Sequence, residues 1–360
     1  MKNKGFTLVE LLAVIAILAL LVIIALPNVL KMFNQAKKDT FLTEAKTVYK
    51  EISKKYISET MRGNKINIIS NTNNKLDLES NNLKYNIKLK GDGSIKKFQV
   101  SNGTYCLSGK FNNLSELTTD KITEGECVIR EPKDFSTDSW ETIVEAVEEG
   151  NTSKYNVGDT KEIDLGSYGK HTLRIANKST PSECSTAGFS QTACGFVLEF
   201  ADIITTHKMN DTNTNVGGWP ATTMRTFVNN DIYNSLPTDL RNAIIDTTVV
   251  SGHGSTSGEE NFTSTDKLYL LAPKEIYTNW FRGYDTAIDL IRTLDYYTNQ
   301  GVTTNNYSGA IKKNGTRASY WWFRAATSTT TYFFDVSSNG DWIYHGASNA
   351  YGVAPAFRLG

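Results

Sequence analysis

The chain has 360 residues, with 38 Lys+Arg against 38 Asp+Glu, 39% hydrophobic and 21% charged positions, and four Cys. At about 150 residues per domain this length calls for two domains, and a formal net charge of zero argues against a general nucleic-acid binder, which carries a basic excess. With 17 Tyr, 16 Phe and 6 Trp there is bulky apolar material for packed cores, which excludes a disordered chain.

The first element is the run from Phe6 to Leu26, 21 positions of which only Thr7 and Glu10 are not apolar. At about 1.5 Å per residue it forms a helix about 31 Å long, enough to span a bilayer. Lys2 and Lys4 precede it and Lys31, Lys37 and Lys38 follow it, so flanking charge is nearly balanced and does not set the orientation. A secretory signal peptide has a shorter apolar region and a small-residue cleavage site after it, whereas here a Gly stands before the run.

The order Lys4-Gly5-Phe6-Thr7-Leu8-Val9-Glu10 before an unbroken apolar helix resembles a type IV prepilin, the precursor of type IV pilins and of type II secretion pseudopilins. The resemblance implies that prepilin peptidase removes residues 1–5 after Gly5 and that Phe6 becomes an N-methylated mature N-terminus. It also implies a single-pass protein of the inner or cytoplasmic membrane before assembly, and then a place in an extracellular pilus or on the cell surface, with other pilin subunits as partners through the N-terminal helix. A carboxylate inside an apolar helix is expensive and calls for a partner. In a filament of packed helices the amino group of Phe6 on a neighbouring subunit neutralises Glu10, which makes this residue a register device. Pro27, just past the apolar run, is expected to break or kink the helix, as in the pilin pattern.

Residues 28–62 continue in helical style. Leu30, Phe33, Phe41, Leu42, Ala45, Val48, Tyr49, Ile52 and Tyr56 recur at spacings of three and four and form a stripe to pack on a sheet. Lys37, Lys38, Lys46, Lys50, Lys54 and Lys55 make the opposite side a solvated or subunit-facing surface. Residues 63–130 alternate in short segments. Tyr85, Ile87 and Leu89 form a strand, Gly91-Asp92-Gly93 a turn, and Ile95, Phe98, Val100 and Tyr105 a return strand, so a small antiparallel sheet is expected. A long helix followed by a meander is the architecture that the pilin resemblance implies. In an exported chain the four cysteines read as two disulfides. Three connectivities are possible, and proximity favours Cys106 with Cys127 and Cys184 with Cys194.

The character of the chain changes at a linker, residues 131–137. Residues 1–130 carry 20 Lys+Arg and 12 Asp+Glu, a net of +8, and residues 131–360 carry 18 and 26, a net of −8. Beyond the linker a short helix is expected over Ser139–Glu149, capped by Ser139 and ended by Gly150. Strand-like segments follow at Tyr155–Asp159, Lys161–Leu165 and Thr172–Ile175.

The strings SWETIVEAVEEG, YNVGDTKEIDL, MNDTNTNVGGW, DKLYLLAPKEIY, ASYWWFRAA and YGVAPAF resemble a domain family common on bacterial surface proteins, here covering residues 138–360. The resemblance implies a C-type-lectin or formylglycine-generating-enzyme type of fold. The whole is therefore expected to be α+β: a long pilin helix with a small antiparallel sheet, then a mixed α+β lectin-like domain. This chain has Ala354 where that family carries Arg before the Pro.

No catalytic pattern stands out. His171, His207, His253 and His345 lie in unlike contexts without a nucleophile elbow, HExxH or phosphate loop, and the cysteines are accounted for as disulfides, so no enzyme is expected. Asp211, Asn213 and Asn215 mimic the start of a calcium loop. Val216 stands where an EF-hand needs Gly and Thr222 where it needs Glu, so Asx turns are the favoured reading, with calcium as the sole candidate cofactor. The binding-surface candidate is the segment from Thr327 to Tyr351, where Tyr332, Asp335, Asn339, Asp341, Trp342, Tyr344, His345 and Asn349 are residue types used by paratopes. Alternation there also suits a strand pair turning at Asn339-Gly340, with Phe333, Val336 and Ile343 inside.

These features point to a minor or tip subunit of a type IV pilus-like filament that displays a domain for adhesion to a surface glycan or protein. The alternatives are a pseudopilin or competence pilin, a variable protein of a diversity-generating retroelement on a pilin anchor, and an exported enzyme tethered by a pilin-like helix. Nucleic acid is not an expected partner, since the acidic half lacks cations for phosphate.

Overall fold

The computed structural model describes residues 8–71, 73–78, 82–127, 132–254, 260–281 and 287–360. The leader, Gly5, Phe6 and Glu131 lie outside the described residues. The protein is α+β and divides into two compact units, residues 1–129 and 130–360.

The first unit opens with α1, Leu8–Met61, 54 residues of unbroken helix. Pro27 lies inside it without ending it, so the expected break does not occur. Proline removes one backbone hydrogen bond, and the strong helix formers on both sides carry the helix past it. The two ends of α1 live in different environments. Leu8, Val9, Leu12, Leu18 and Leu21 are exposed, and so are Leu30 and Phe33, which do not belong to the packed stripe. That stripe begins at Phe41 and continues through Ala45, Val48 and Ile52, all buried at spacings of four, three and four. Each large apolar side chain so buried contributes about 1.5–3 kcal/mol.

The stripe packs on a five-stranded antiparallel meander in sequential order: β1 Ile68–Ser70, β2 Lys84–Leu89, β3 Ile95–Ser101, β4 Tyr105–Gly109 and β5 Ile122–Glu124. Tyr85, Ile87 and Leu89 face the core from β2, and Phe98 and Val100 from β3. Tyr105 opens a new strand, because the Asn102 side chain accepts hydrogen bonds from the backbone N–H groups of Thr104 (3.0 Å) and Tyr105 (2.9 Å) and folds the chain back after Ser101. Cys106 of β4 is bonded to Cys127.

The second unit begins with α2, Trp140–Glu149, where Ser139 Oγ accepts from the Thr142 N–H and Gly150 closes the helix at φ +69°. Tyr155–Asp159 is a turn rather than a strand, since the Asp159 carboxylate accepts the Asn156 N–H at 2.7 Å. The strands that follow are β6 Thr160–Asp164, β7 Lys170–Asn177, β8 Phe196–Phe200 and β9 Thr205–Lys208, then the hairpins β10 Thr247–Ser251 with β11 Phe262–Asp266 and β12 Lys313–Asn314 with β13 Arg317–Ala318. Last come β14 Trp321–Ala326, β15 Tyr332–Val336, β16 Trp342–Gly346, β17 Ala350–Val353 and β18 Ala356–Leu359.

Two sheets organise this unit. One is antiparallel in the order β18-β8-β7-β6, and the other runs β16-β15-β14-β17-β9 with a parallel pair at β14 and β17. All six residues of β14 are buried, and Trp219, Trp280, Trp321 and Trp322 are enclosed in one continuous core. β16 forms an edge of its sheet and pairs only with β15 among the described strands. Cys184 and Cys194 are bonded and close a loop ahead of β8.

Candidate functional site

The eight residues proposed for binding do not share one face. Alternation along the β15–β16 pair puts Tyr332, Trp342 and Tyr344 on one side of the sheet and Asp335 and His345 on the other. On the first side Tyr332 and Tyr344 stack at 5.8 Å, and Trp342 packs edge-on against Trp280 at 5.3 Å. Tyr344 is 47% exposed, and Phe281, next to Trp280 in sequence, is 78% exposed.

Asn339 and Asp341 form the turn. Asn339 Oδ1 accepts from Ser337 Oγ and from the Asp341 N–H, while the Asp341 carboxylate accepts the Trp342 N–H at 2.9 Å. The turn needs glycine at its tip: Gly340 has φ +94°, and a Cβ there would lie 2.3 Å from the Tyr307 carbonyl oxygen. Asn349 sits exposed in the next turn.

Asp335 is the clearest departure from expectation, because its side chain is fully buried. Its Oδ2 lies 2.9 Å from His345 Nδ1, and its Oδ1 is buried with no hydrogen-bond partner among the described residues. Burial pushes the Asp335 carboxyl up to about 7, against the pull of His345. The His345 ring meets Tyr351 at 4.9 Å and Tyr320 at 5.6 Å, and Tyr351 also touches Trp322. Tyr320 lies outside the segment expected to bind, and Tyr351 ends that segment without being one of its eight named residues. Their proximity arises from the parallel pairing of β14 with β17, which local patterning does not announce.

Two of the other histidines, His171 and His207, are held structurally. His171 places Nδ1 at 3.0 Å from Asp202 and Nε2 at 3.0 Å from the Tyr168 carbonyl. Two acceptors favour the doubly protonated ring, and the Asp202 hydrogen bond raises its pKa. His207 stacks on Phe227 at 4.2 Å. The calcium-like trio does not converge either. Asn215 is buried and its amide nitrogen donates to the carbonyls of Thr329 and Tyr332, so it ties the loop to the start of β15. Asp211 and Asn213 remain exposed. Among the described residues no group of three His, Cys, Asp or Glu is placed to hold a metal ion.

Two buried ionic networks were not expected from the sequence. Glu275 meets Arg324 in a two-pronged pair at 2.7 and 2.8 Å, both side chains fully buried. Arg324 also donates to the carbonyls of Val250 and Leu270, and Glu275 accepts from the Ala272 N–H and from Thr192 Oγ1. Elsewhere Glu199 accepts from Arg174, Lys312 and Tyr297, each at 2.8 Å. Burial opposes its charge, but the two cations more than offset this and hold its carboxyl low; burial pushes the Lys312 amine down. The signal for the first network lay in the string WWFRAA, where an arginine within an apolar strand demands a buried acid.

A cleft of about 410 Å³ lies next to the Cys184–Cys194 loop, lined by Glu183, Lys274, Asp289, Ile291 and Arg292 among others. Arg292 is bonded to Glu183 at 3.0 Å and to Asp295 at 3.2 Å, so the guanidinium at its wall is already paired.

Residues 1–26 match a family model described as the prokaryotic N-terminal methylation motif. Residues 196–360 match one described as a domain of unknown function (DUF6273). The chain matches no curated protein and no solved structure. Its N-terminus is thus type IV pilin-like, which implies prepilin peptidase processing and assembly with pilus subunits. The apolar start of α1 is long enough to cross a membrane.

Proposed function

We propose that this protein is a minor or tip subunit of a type IV pilus-like filament and that residues 130–360 are displayed as a ligand-binding, adhesive unit with a lectin-like architecture. The observation that carries the reading is the methylation-motif match at residues 1–26 on a helix whose first half exposes Leu8, Leu12, Leu18, Leu21, Leu30 and Phe33 while its second half is packed on a sheet. Such a helix has a spare apolar surface that a membrane covers before assembly and neighbouring helices cover afterwards. The protein would sit in the cytoplasmic membrane, be cut after Gly5, and leave the membrane as part of the filament.

The outer unit acts by binding, not catalysis. His171 and His207 are committed to structural contacts, and the exposed Tyr344, beside the half-buried Tyr332 and Trp342 and with Asn339 in the adjoining turn, offers rings and a carboxamide suited to recognition. A second 231-residue unit exceeds what a filament core needs, which favours a minor or tip position over a major subunit. A pseudopilin role is the second reading, since the methylation motif serves both assemblies. Immunogold labelling of sheared filaments with antibody to the outer unit tests the placement. Label at tips or at sparse intervals is expected, dense label along shafts makes it a major subunit, and filaments without label remove the pilus reading.

A further inference from the structure

The Asp335–His345 pair lies on the opposite side of the sheet from Tyr332 and Tyr344, yet it holds the same strand. Among the described strands β16 pairs with β15 alone, and His345 is anchored to β15 through the Asp335 carboxylate at 2.9 Å. Asp335 sits in the middle of the sheet, opposite Trp322 on one neighbouring strand and Ile343 on the other. Its carboxyl is fully buried with one oxygen unpartnered among the described residues, whereas the His345 side chain is 29% exposed. The titratable groups around the pair are the phenols of Tyr351 on β17, Tyr320 ahead of β14, and Tyr277, which bonds the Gly340 carbonyl in the turn. Burial holds the phenols of Tyr277 and Tyr351 un-ionised, and the charge of Asp335, with that of Asp341 at Tyr277, adds to it.

A buried carboxylate with one unsatisfied oxygen is costly, and the cost falls away when the group holds a proton or when water reaches it. Water reaches Asp335 most directly through the edge, by separation of β16. We propose that Asp335 and His345 form a proton-operated latch: β16 is held closed while the pair retains a proton at Asp335, and loosens when that proton leaves. The strand that loosens carries Trp342 and Tyr344, so the aromatic side of the unit would change shape with pH.

The sign follows from linkage. The closed-state carboxyl titrates at about 7, above the value of about 3.9 for an exposed aspartate. The closed form therefore binds more protons, its added stability is complete below about pH 4, and it is lost as pH rises to about 7. At its steepest the opening equilibrium grows about tenfold per pH unit.

Hydrogen exchange of the β16 peptide in the full chain in detergent, measured from pH 4.5 to 8 and corrected for intrinsic exchange, tests the latch. Protection of β16 should fall with rising pH relative to β8, and the fall should vanish in Asp335→Asn. His345→Gln, altered at a partly exposed position, removes the group that pulls the Asp335 carboxyl down, so its step should persist and move to higher pH. Equal pH profiles for β16 and β8 in the native chain, or an unchanged step in folded Asp335→Asn, would overturn the proposal. If Asp335→Asn does not fold, His345→Gln decides: a step that moves to higher pH supports the latch, and one that stays where it is in the native chain overturns it.

Discussion

Glu275→Ala is expected to destabilise the outer unit by about 3–5 kcal/mol, because it leaves the Arg324 guanidinium in the core without its counter-ion. A loss of that size removes a large part of the 5–15 kcal/mol by which domains are ordinarily stable. The carbonyls of Val250 and Leu270 still accept from Arg324, so its hydrogen bonds survive in part, but they do not neutralise it. Two comparisons separate charge from packing. Glu275→Gln keeps the shape and should lose less than the alanine variant, and a double replacement, Glu275→Leu with Arg324→Met, should recover most of the stability. Denaturant unfolding measures all three. If Glu275→Ala costs under about 1 kcal/mol, the pair is not the anchor that its burial indicates.

Glu10→Ala is expected to leave the precursor in the membrane and its cleavage intact while depleting the protein from sheared filaments by roughly 10–100-fold. Removing a carboxylate from an apolar span eases membrane insertion, so loss of filament incorporation cannot be blamed on failed insertion. A hydrogen-bonded charge pair with the Phe6 amino group of a neighbour contributes about 1.5–3 kcal/mol per contact, and 1.4 kcal/mol is a factor of ten. Quantitative immunoblots of membrane and sheared fractions provide the measurement. Equal partition of the variant and the parent protein would remove Glu10 from the assembly mechanism.

The first unit is the more legible of the two because its signals are local. A periodic stripe, an alternating strand and a Gly-Asp-Gly turn each act over fewer than a dozen residues, and Phe41, Val48, Tyr85 and Ile87 are buried as their patterns require. Leu30 and Phe33 misled because periodicity says that a face is apolar, not what covers it. In the outer unit the short helix and the Asn339-Gly340 turn were readable, whereas the site was not. Asp335 looks like an ordinary exposed strand residue until β14 and β16 enclose it, and the neighbours of His345 come from strands joined by long-range pairing. Paratope-like composition suggested one face, but strict alternation divides those residues between two.

The central claim is that the apolar helix is a processed filament anchor. Mass spectrometry of the protein recovered from sheared surface filaments tests it most directly, since the mature terminus and the location are read together. The expected result is a chain beginning at N-methylated Phe6 and recovered with the filaments. A chain that keeps Met1–Gly5, or that is cut beyond the apolar run and found free of filaments, would contradict the account.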